Sequence, residues 1–172
     1  IVGPIGLKKF FDKTVEAYAD ELNLRVDWEK RPNHKGLDIE ITEIDNEFIY
    51  EKTGIKIKSI EVQHQPVEPA YGYEFLVKNK KITYSGDTKY SKNLENASKN
   101  AEYLIHEVFV DLNFDDKRMT QETLKNVKEY HSTPEDVGKL AQAANVKNLV
   151  LNHFVPPVFD EEVLRKEISK YY

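Results

Sequence analysis

Residues 73–88 read Tyr73-Glu-Phe-Leu-Val77, Lys78-Asn-Lys80, Lys81-Ile-Thr-Tyr84, Ser85-Gly-Asp87-Thr88. Two short runs rich in aromatic and β-branched residues flank a polar turn, which is the pattern of a hairpin. The second run stops at Ser-Gly, and the next residue is a carboxylate. Two other apolar runs lead to a side chain with metal-binding chemistry, in Glu61-Val-Gln-His64 and Leu151-Asn-His153-Phe154. Strand ends are rigid and converge on one edge of a sheet, where an α/β protein places its site residues. Imidazole and carboxylate together suit zinc or another borderline divalent ion, and an aspartate can bridge two ions. Two more histidines stand in similar settings, in Leu104-Ile-His106-Glu107 and His131-Ser-Thr-Pro134.

Outward from the hairpin, the pattern predicts a first helix over about Leu7 to Glu21, entered through Gly3-Pro4-Ile-Gly6. Strands are predicted at Leu24–Trp28, Leu37–Ile44, Phe48–Tyr50 and Ile55–Val62, with turns at Asp45-Asn46 and Thr53-Gly54. A helix follows at about Ser91 to Asn100, then a buried strand at Tyr103–Phe109 and helices at Met119–Tyr130 and Pro134–Ala144. The last of these has a clear start: Thr133 as N-cap, Pro134 at the first helical position, Asp136 in the first turn. Asn148–Phe154 reads as a further buried strand and Glu161–Tyr172 as a final helix. The expected class is α/β or α+β in a single domain over 1–172, without internal repeat or linker.

The 172 residues are 40% hydrophobic and 32% charged, an ordinary globular composition. A net charge of −5 gives no general attraction for nucleic acid, and the lysine clusters at 56–58 and 78–81 read as a solvated sheet face. With no cysteine there is no disulfide, thiolate metal site or cysteine nucleophile, and a cytoplasmic location is expected. No run is long and apolar enough for a membrane span. Taken singly, Asp87 reads as an Asx-turn and His64 and His153 as ordinary strand-end histidines. Their order along the chain makes all three candidate ligands.

That order resembles the later motifs of the metallo-β-lactamase fold hydrolases, in the branch holding ribonuclease Z and the arylsulfatase-like enzymes. His64, ahead of Glu68-Pro-Ala-Tyr-Gly72-Tyr73, resembles the motif whose histidine completes the first metal's shell. Ser85-Gly-Asp87-Thr88 resembles the motif whose carboxylate bridges two metals, and Leu151-Asn-His153 the one that binds the second metal. His106-Glu107 and His131-Ser-Thr133 resemble two accessory motifs in which the glutamate orients the histidine that protonates the leaving group. The alternation of strand side chains puts Glu107 opposite His106, so Glu107 is the expected partner of His131, and His106 is read as a structural residue or one that supports a site residue from behind. His34 receives no role.

The resemblance covers about Val2 to Pro157 and implies an αβ/βα sandwich. It also implies metal ligands His64, Asp87 and His153, catalytic residues His131 and Glu107, and two divalent ions, zinc first with manganese or iron as alternatives. The opening His-x-His-x-Asp-His motif is absent from the 172 residues. The chain is therefore read as the C-terminal two-thirds of the family fold with an incomplete site. The implied activity is hydrolysis of a small ester, phosphodiester or sulfate ester by a metal-bound hydroxide. The alternative is a transfer RNA 3′-processing endonuclease; a reading from another class is a metal-free scaffold or regulatory fragment. Val108-Phe109 and the Asn152-His153-Phe-Val-Pro-Pro157 ending lean toward the arylsulfatase-like branch. Only 23 positions separate His64 from Asp87, which leaves no room there for an RNA-gripping arm. A small-molecule substrate is thus preferred over RNA, a homodimer is left open, and no membrane partner is expected.

Overall fold

The computed structural model describes residues 1–33, 35–45, 47–110 and 119–172. The chain divides into two compact units, 1–46 and 47–172. In the first, β1 (Val2–Pro4) pairs in parallel with β2 (Thr42–Ile44), and two helices, α1 (Leu7–Ala17) and α2 (Ala19–Trp28), lie between them in sequence. Gly6 enters α1 at φ 98°, a left-handed conformation that glycine adopts without penalty. Having no side-chain cap of its own, α1 borrows one: the Glu43 carboxylate accepts the Gly6 and Lys8 amides at 2.7 and 3.0 Å.

Two expectations fail in this unit. Residues 24–28 form the end of α2, not a strand. Leu22, Leu24 and Val26 alternate as a strand would, but Asp20 and Glu21 occupy a first helical turn, and Glu21 pairs with Arg25 one turn on at 2.7 Å. The run from residue 37 is strand only from Thr42 onward, because β1 offers just three residues to pair with; Lys35–Leu37 is a 3₁₀ turn. His34 and the Asn46 half of the expected turn lie outside the described residues.

The second unit is built on a six-stranded sheet: β3 (Ile49–Lys52), β4 (Ile55–Val62), β5 (Ala70–Val77), β6 (Lys80–Tyr84), β7 (Tyr103–Phe109) and β8 (Leu149–Val155), paired in that order. The β3–β6 portion is antiparallel; β6, β7 and β8 are parallel. The helices of this unit are α3 (Lys92–Ala97), α4 (Gln121–Lys128), α5 (Pro134–Ala143) and α6 (Glu161–Ile168). Ser91, Thr120, Thr133 and Asp160 cap their N-termini through side-chain oxygens, and Thr133 and Asp136 complete a capping box. The helices at 91–100 and 161–172 are shorter than expected by their last turns. α3 packs on β4, α5 on β7 and α6 on α5. Ile60, Val62 and Leu104 from the sheet meet Leu94 of α3 and Leu140 and Ala141 of α5 in the core.

Candidate metal centre

Five predicted side chains come together at one end of this sheet, each delivered differently. His64 follows β4 by two residues. Asp87 follows β6 through Gly86, whose φ is 61° and whose added Cβ would stand 2.6 Å from the Tyr71 carbonyl. Gly72 on β5 is as tight, with a Cβ position 2.6 Å from the Tyr84 carbonyl. Only glycine at both positions lets the Ser85–Thr88 loop cross so close to β5. Glu107 belongs to β7, and His131 sits just before the α5 capping box.

His153 is delivered by a β-bulge. Glu107 pairs with Asn152 and Val108 with Phe154, so His153 is the extra residue on β8, at φ 41°. A bulge re-aims one side chain without disturbing the ladder on either side. Here it leaves the His153 ring half-exposed and stacked 5.6 Å from His131.

Glu107 is the hub. It is buried, and its Oε1 accepts three hydrogen bonds: from the Thr88 amide at 3.1 Å, the Ser132 amide at 3.0 Å and His131 Nδ1 at 3.1 Å. Three N–H donors on one oxygen offset the cost of burying a carboxylate. With Nδ1 bonded to Glu107, the His131 nitrogen left for other contacts is Nε2. Thr88 and Ser132 tighten the same knot: Ser132 Oγ donates to the Thr88 carbonyl at 2.7 Å, and the Gln63 amide donates to Thr88 Oγ1 at 3.0 Å. His106 lies on the opposite face of β7, wholly buried, and desolvation holds its imidazole pKa below the ordinary histidine range.

The remaining three residues, His64, Asp87 and His153, could hold a metal. His64 Nδ1 donates to the Tyr130 carbonyl at 3.0 Å, which leaves Nε2 as a free lone pair. That Nε2 stands 3.9 Å from Asp87 Oδ2, while His153 Nδ1 stands 3.5 Å from Asp87 Oδ1. Both separations are long for hydrogen bonds. They lie near the spacing, roughly 3.3–3.6 Å, of neighbouring donors around a tetrahedral ion with bonds of about 2.0–2.2 Å. Each aspartate oxygen thus faces a different histidine, an arrangement compatible with a carboxylate shared between two ions. Glu107, His131 and His153 also offer ligand atoms within 4.8 Å of one another. In that set, however, Glu107 Oε1 and His131 Nδ1 are already bonded to each other. The donor chemistry therefore favours His64, Asp87 and His153.

The sequence profile of the beta-lactamase superfamily domain matches residues 8–154, most of the chain. The chain belongs to the beta-lactamase superfamily. Among curated members, the ribonuclease Z of Mycobacterium tuberculosis is 25% identical over 163 residues, covering 92% of this chain and 57% of that protein. The Mycobacterium marinum ribonuclease Z is 25% identical over 165 residues, covering 92% and 56%. This chain thus spans little more than half the length of each. The crystal structure of human tRNase Z, short form, superposes with a TM-score of 0.60 at 23% identity, over 90% of this chain and 59% of that one. The metallo-beta-lactamase fold protein YhfI from Bacillus subtilis gives 0.61 at 20% identity, over 77% and 50%. At these identities the two structures establish the shared fold, and the curated relatives support the ribonuclease Z-like branch of this superfamily of hydrolases.

Beyond the expected set, Thr88, Ser132 and Ser85 emerge as parts of the site. Their signal in the sequence was only adjacency to Asp87, His131 and Gly86. A groove of about 540 Å³ is lined by Leu149, Leu151, Phe154, Leu164 and Ile168 with the Glu161–Arg165 pair, and none of the candidate site histidines lines it. No helix among the described residues is long and apolar enough to cross a membrane.

Proposed function

We propose that this chain carries the bridging carboxylate, two histidine ligands and the general acid of a metal-dependent phosphodiesterase of the ribonuclease Z type. The observation that carries the reading is the Glu107–His131 pair, locked at 3.1 Å beside a carboxylate shared between two histidines. The ribonuclease Z relatives favour the RNA-processing alternative over a small ester or sulfate ester. His64, Asp87 and His153 would hold divalent ions, zinc being the best match to imidazole and carboxylate donors. Bound ions would lower the pKa of an attacking water and stabilise charge on the phosphoryl oxygens. Glu107 fixes the His131 tautomer, and the Nε2 proton passes to the leaving oxygen as the phosphorus–oxygen bond breaks. These three ligands do not complete two tetrahedral shells, so the reading requires donors further to the three named here.

The test is metal content after zinc dialysis, followed by cleavage assays on a precursor transfer RNA with a 3′ trailer, bis-p-nitrophenyl phosphate and p-nitrophenyl sulfate. Trailer cleavage that falls about 10²- to 10⁴-fold in His131→Ala, with zinc still bound, is expected. Asp87→Ala should lose zinc as well as activity. Turnover of the sulfate ester alone would return the arylsulfatase-like reading. A chain that binds no zinc and cleaves nothing is the metal-free scaffold.

A further inference from the structure

β6 and β7 run side by side only as far as the Tyr84–Ile105 pair; β6 then turns away through Gly86, while β7 continues to Phe109. In a parallel ladder, the N–H and C=O of every second residue point to the same neighbour. The Ile105 carbonyl accordingly accepts the Ser85 amide at 2.9 Å. Two residues on, the Glu107 amide and carbonyl face the space that β6 has left. Side chains fill both places: Ser85 Oγ accepts the Glu107 N–H at 3.0 Å, and His106 Nδ1 donates to the Glu107 carbonyl at 2.7 Å. Since a carbonyl can only accept, the ring proton is on Nδ1. His106 Nε2 is buried without a partner, as is Glu107 Oε2. The ring therefore makes its one hydrogen bond to this peptide group. The carboxylate, in turn, is held through Oε1 alone, and its aim depends on where the backbone holds it.

We propose that His106 is a positioning residue that, with Ser85, braces the Glu107 peptide groups where β6 departs and thereby aims the Glu107 carboxylate at His131 Nδ1. The consequence for catalysis rests on the acid role given to His131 above, but the brace itself is readable without turnover. In the metal-free ¹⁵N-labelled chain, the His131 Nδ1 proton held by Glu107 should give a low-field, slowly exchanging resonance, assigned by its loss in Glu107→Gln. His106→Leu should lose that resonance or speed its exchange by about tenfold or more, the scale on which outer partners act. His106→Asn, whose amide nitrogen falls where Nδ1 was, should retain it. A simple packing role would instead lower the melting temperature of both variants and leave the resonance in place. Should His106→Leu not fold, Ser85→Ala removes the other half of the brace and is expected to speed the exchange. The proposal is overturned if the resonance is unchanged in His106→Leu or in Ser85→Ala, or if His106→Asn folds and loses it. None of these outcomes depends on whether the chain cleaves RNA.

Discussion

The two faces of the six-stranded sheet are both apolar, yet they are finished differently. On one face, Ile60, Val62 and Leu104 lie under α3 and α5, at 6%, 5% and 0% exposure. On the other, register groups Ile57, Phe75, Ile82 and Tyr103 in one row and Tyr73, Tyr84, Ile105 and Val150 in the next. None of these eight is buried, and Tyr103 and Val150 are 40% and 42% exposed. A strand buried on one face alternates apolar with polar, whereas these strands carry apolar side chains on both sides, the pattern of a sheet made to be covered twice. The helix-covered face therefore supplies the stability of this unit. The open one has the character of a surface awaiting a second sheet, as an αβ/βα sandwich requires.

The largest expected effect tests this contrast directly. Leu104→Ala should cost about 2–5 kcal/mol, because it opens a cavity in a close-packed core. Phe75→Ser, on the open face, should cost about 1 kcal/mol or less. Urea midpoints followed by far-ultraviolet circular dichroism would measure both; the single tryptophan, Trp28, lies in the other unit and would not report on the sheet. Equal losses would break the comparison, and would mean that the open face is covered in solution. Sedimentation would then show whether a second copy does the covering.

A smaller effect separates the site edge from the far end of the same sheet. Gly86 and Gly54 both have positive φ, 61° and 78°, but a Cβ at Gly54 meets open space, while at Gly86 it meets the Tyr71 carbonyl at 2.6 Å. Gly54→Ala pays the left-handed strain alone, about 1 kcal/mol. Gly86→Ala adds a backbone clash and should cost about 1–3 kcal/mol more. It should also move Asp87 and weaken zinc binding, which Gly54→Ala leaves untouched. Calorimetric titration with zinc beside thermal melts reads both parts; equal zinc affinity in the two variants would mean that the loop tolerates the shift.

What the sequence made legible was whatever is local. The bounds of β4 and β7 were readable from side-chain period, and the start of α5 from the chemistry of Thr133, Pro134 and Asp136. The pairing of Glu107 with His131 was implied by the family resemblance, and alternation along β7 set Glu107 on the face opposite His106. By contrast, α2 was misread because Leu22, Leu24 and Val26 alternate while the Glu21–Arg25 pair that favours helix is only one turn of evidence. The bulge at His153 was out of reach, since it exists only in the register between β7 and β8, whose partners Glu107 and Asn152 are 45 positions apart in the chain. The same holds for Thr88 and Ser132, whose role is to meet Glu107 across three separate segments. Residue types at the site were thus visible in order, while the contacts that aim them were not.

The smallest expected effect concerns two tyrosines, one for each face. Tyr90, on the α3 side, donates its hydroxyl to Glu95; burial and that carboxylate push its pKa up to about 12. Tyr73, on the open face, is raised chiefly by burial. A raised pKa contributes stability that is complete below the ordinary tyrosine value, near 10, and fades as pH climbs through the folded-state value. Stability should therefore fall between pH 10 and about 12, and Tyr90→Phe should flatten that slope while lowering neutral-pH stability by the hydrogen bond lost to the buried Glu95. Tyrosinate absorbance would resolve the two groups, since Tyr90→Phe and Tyr73→Phe subtract different late-titrating components. Tyr73 is also the sharper probe of the sheet: a layer closing over the open face would deepen its desolvation and raise it further, whereas Tyr90, already fixed by Glu95, would stay where it is. A Tyr73 titration that shifts upward with protein concentration would identify that layer as a second copy of the chain.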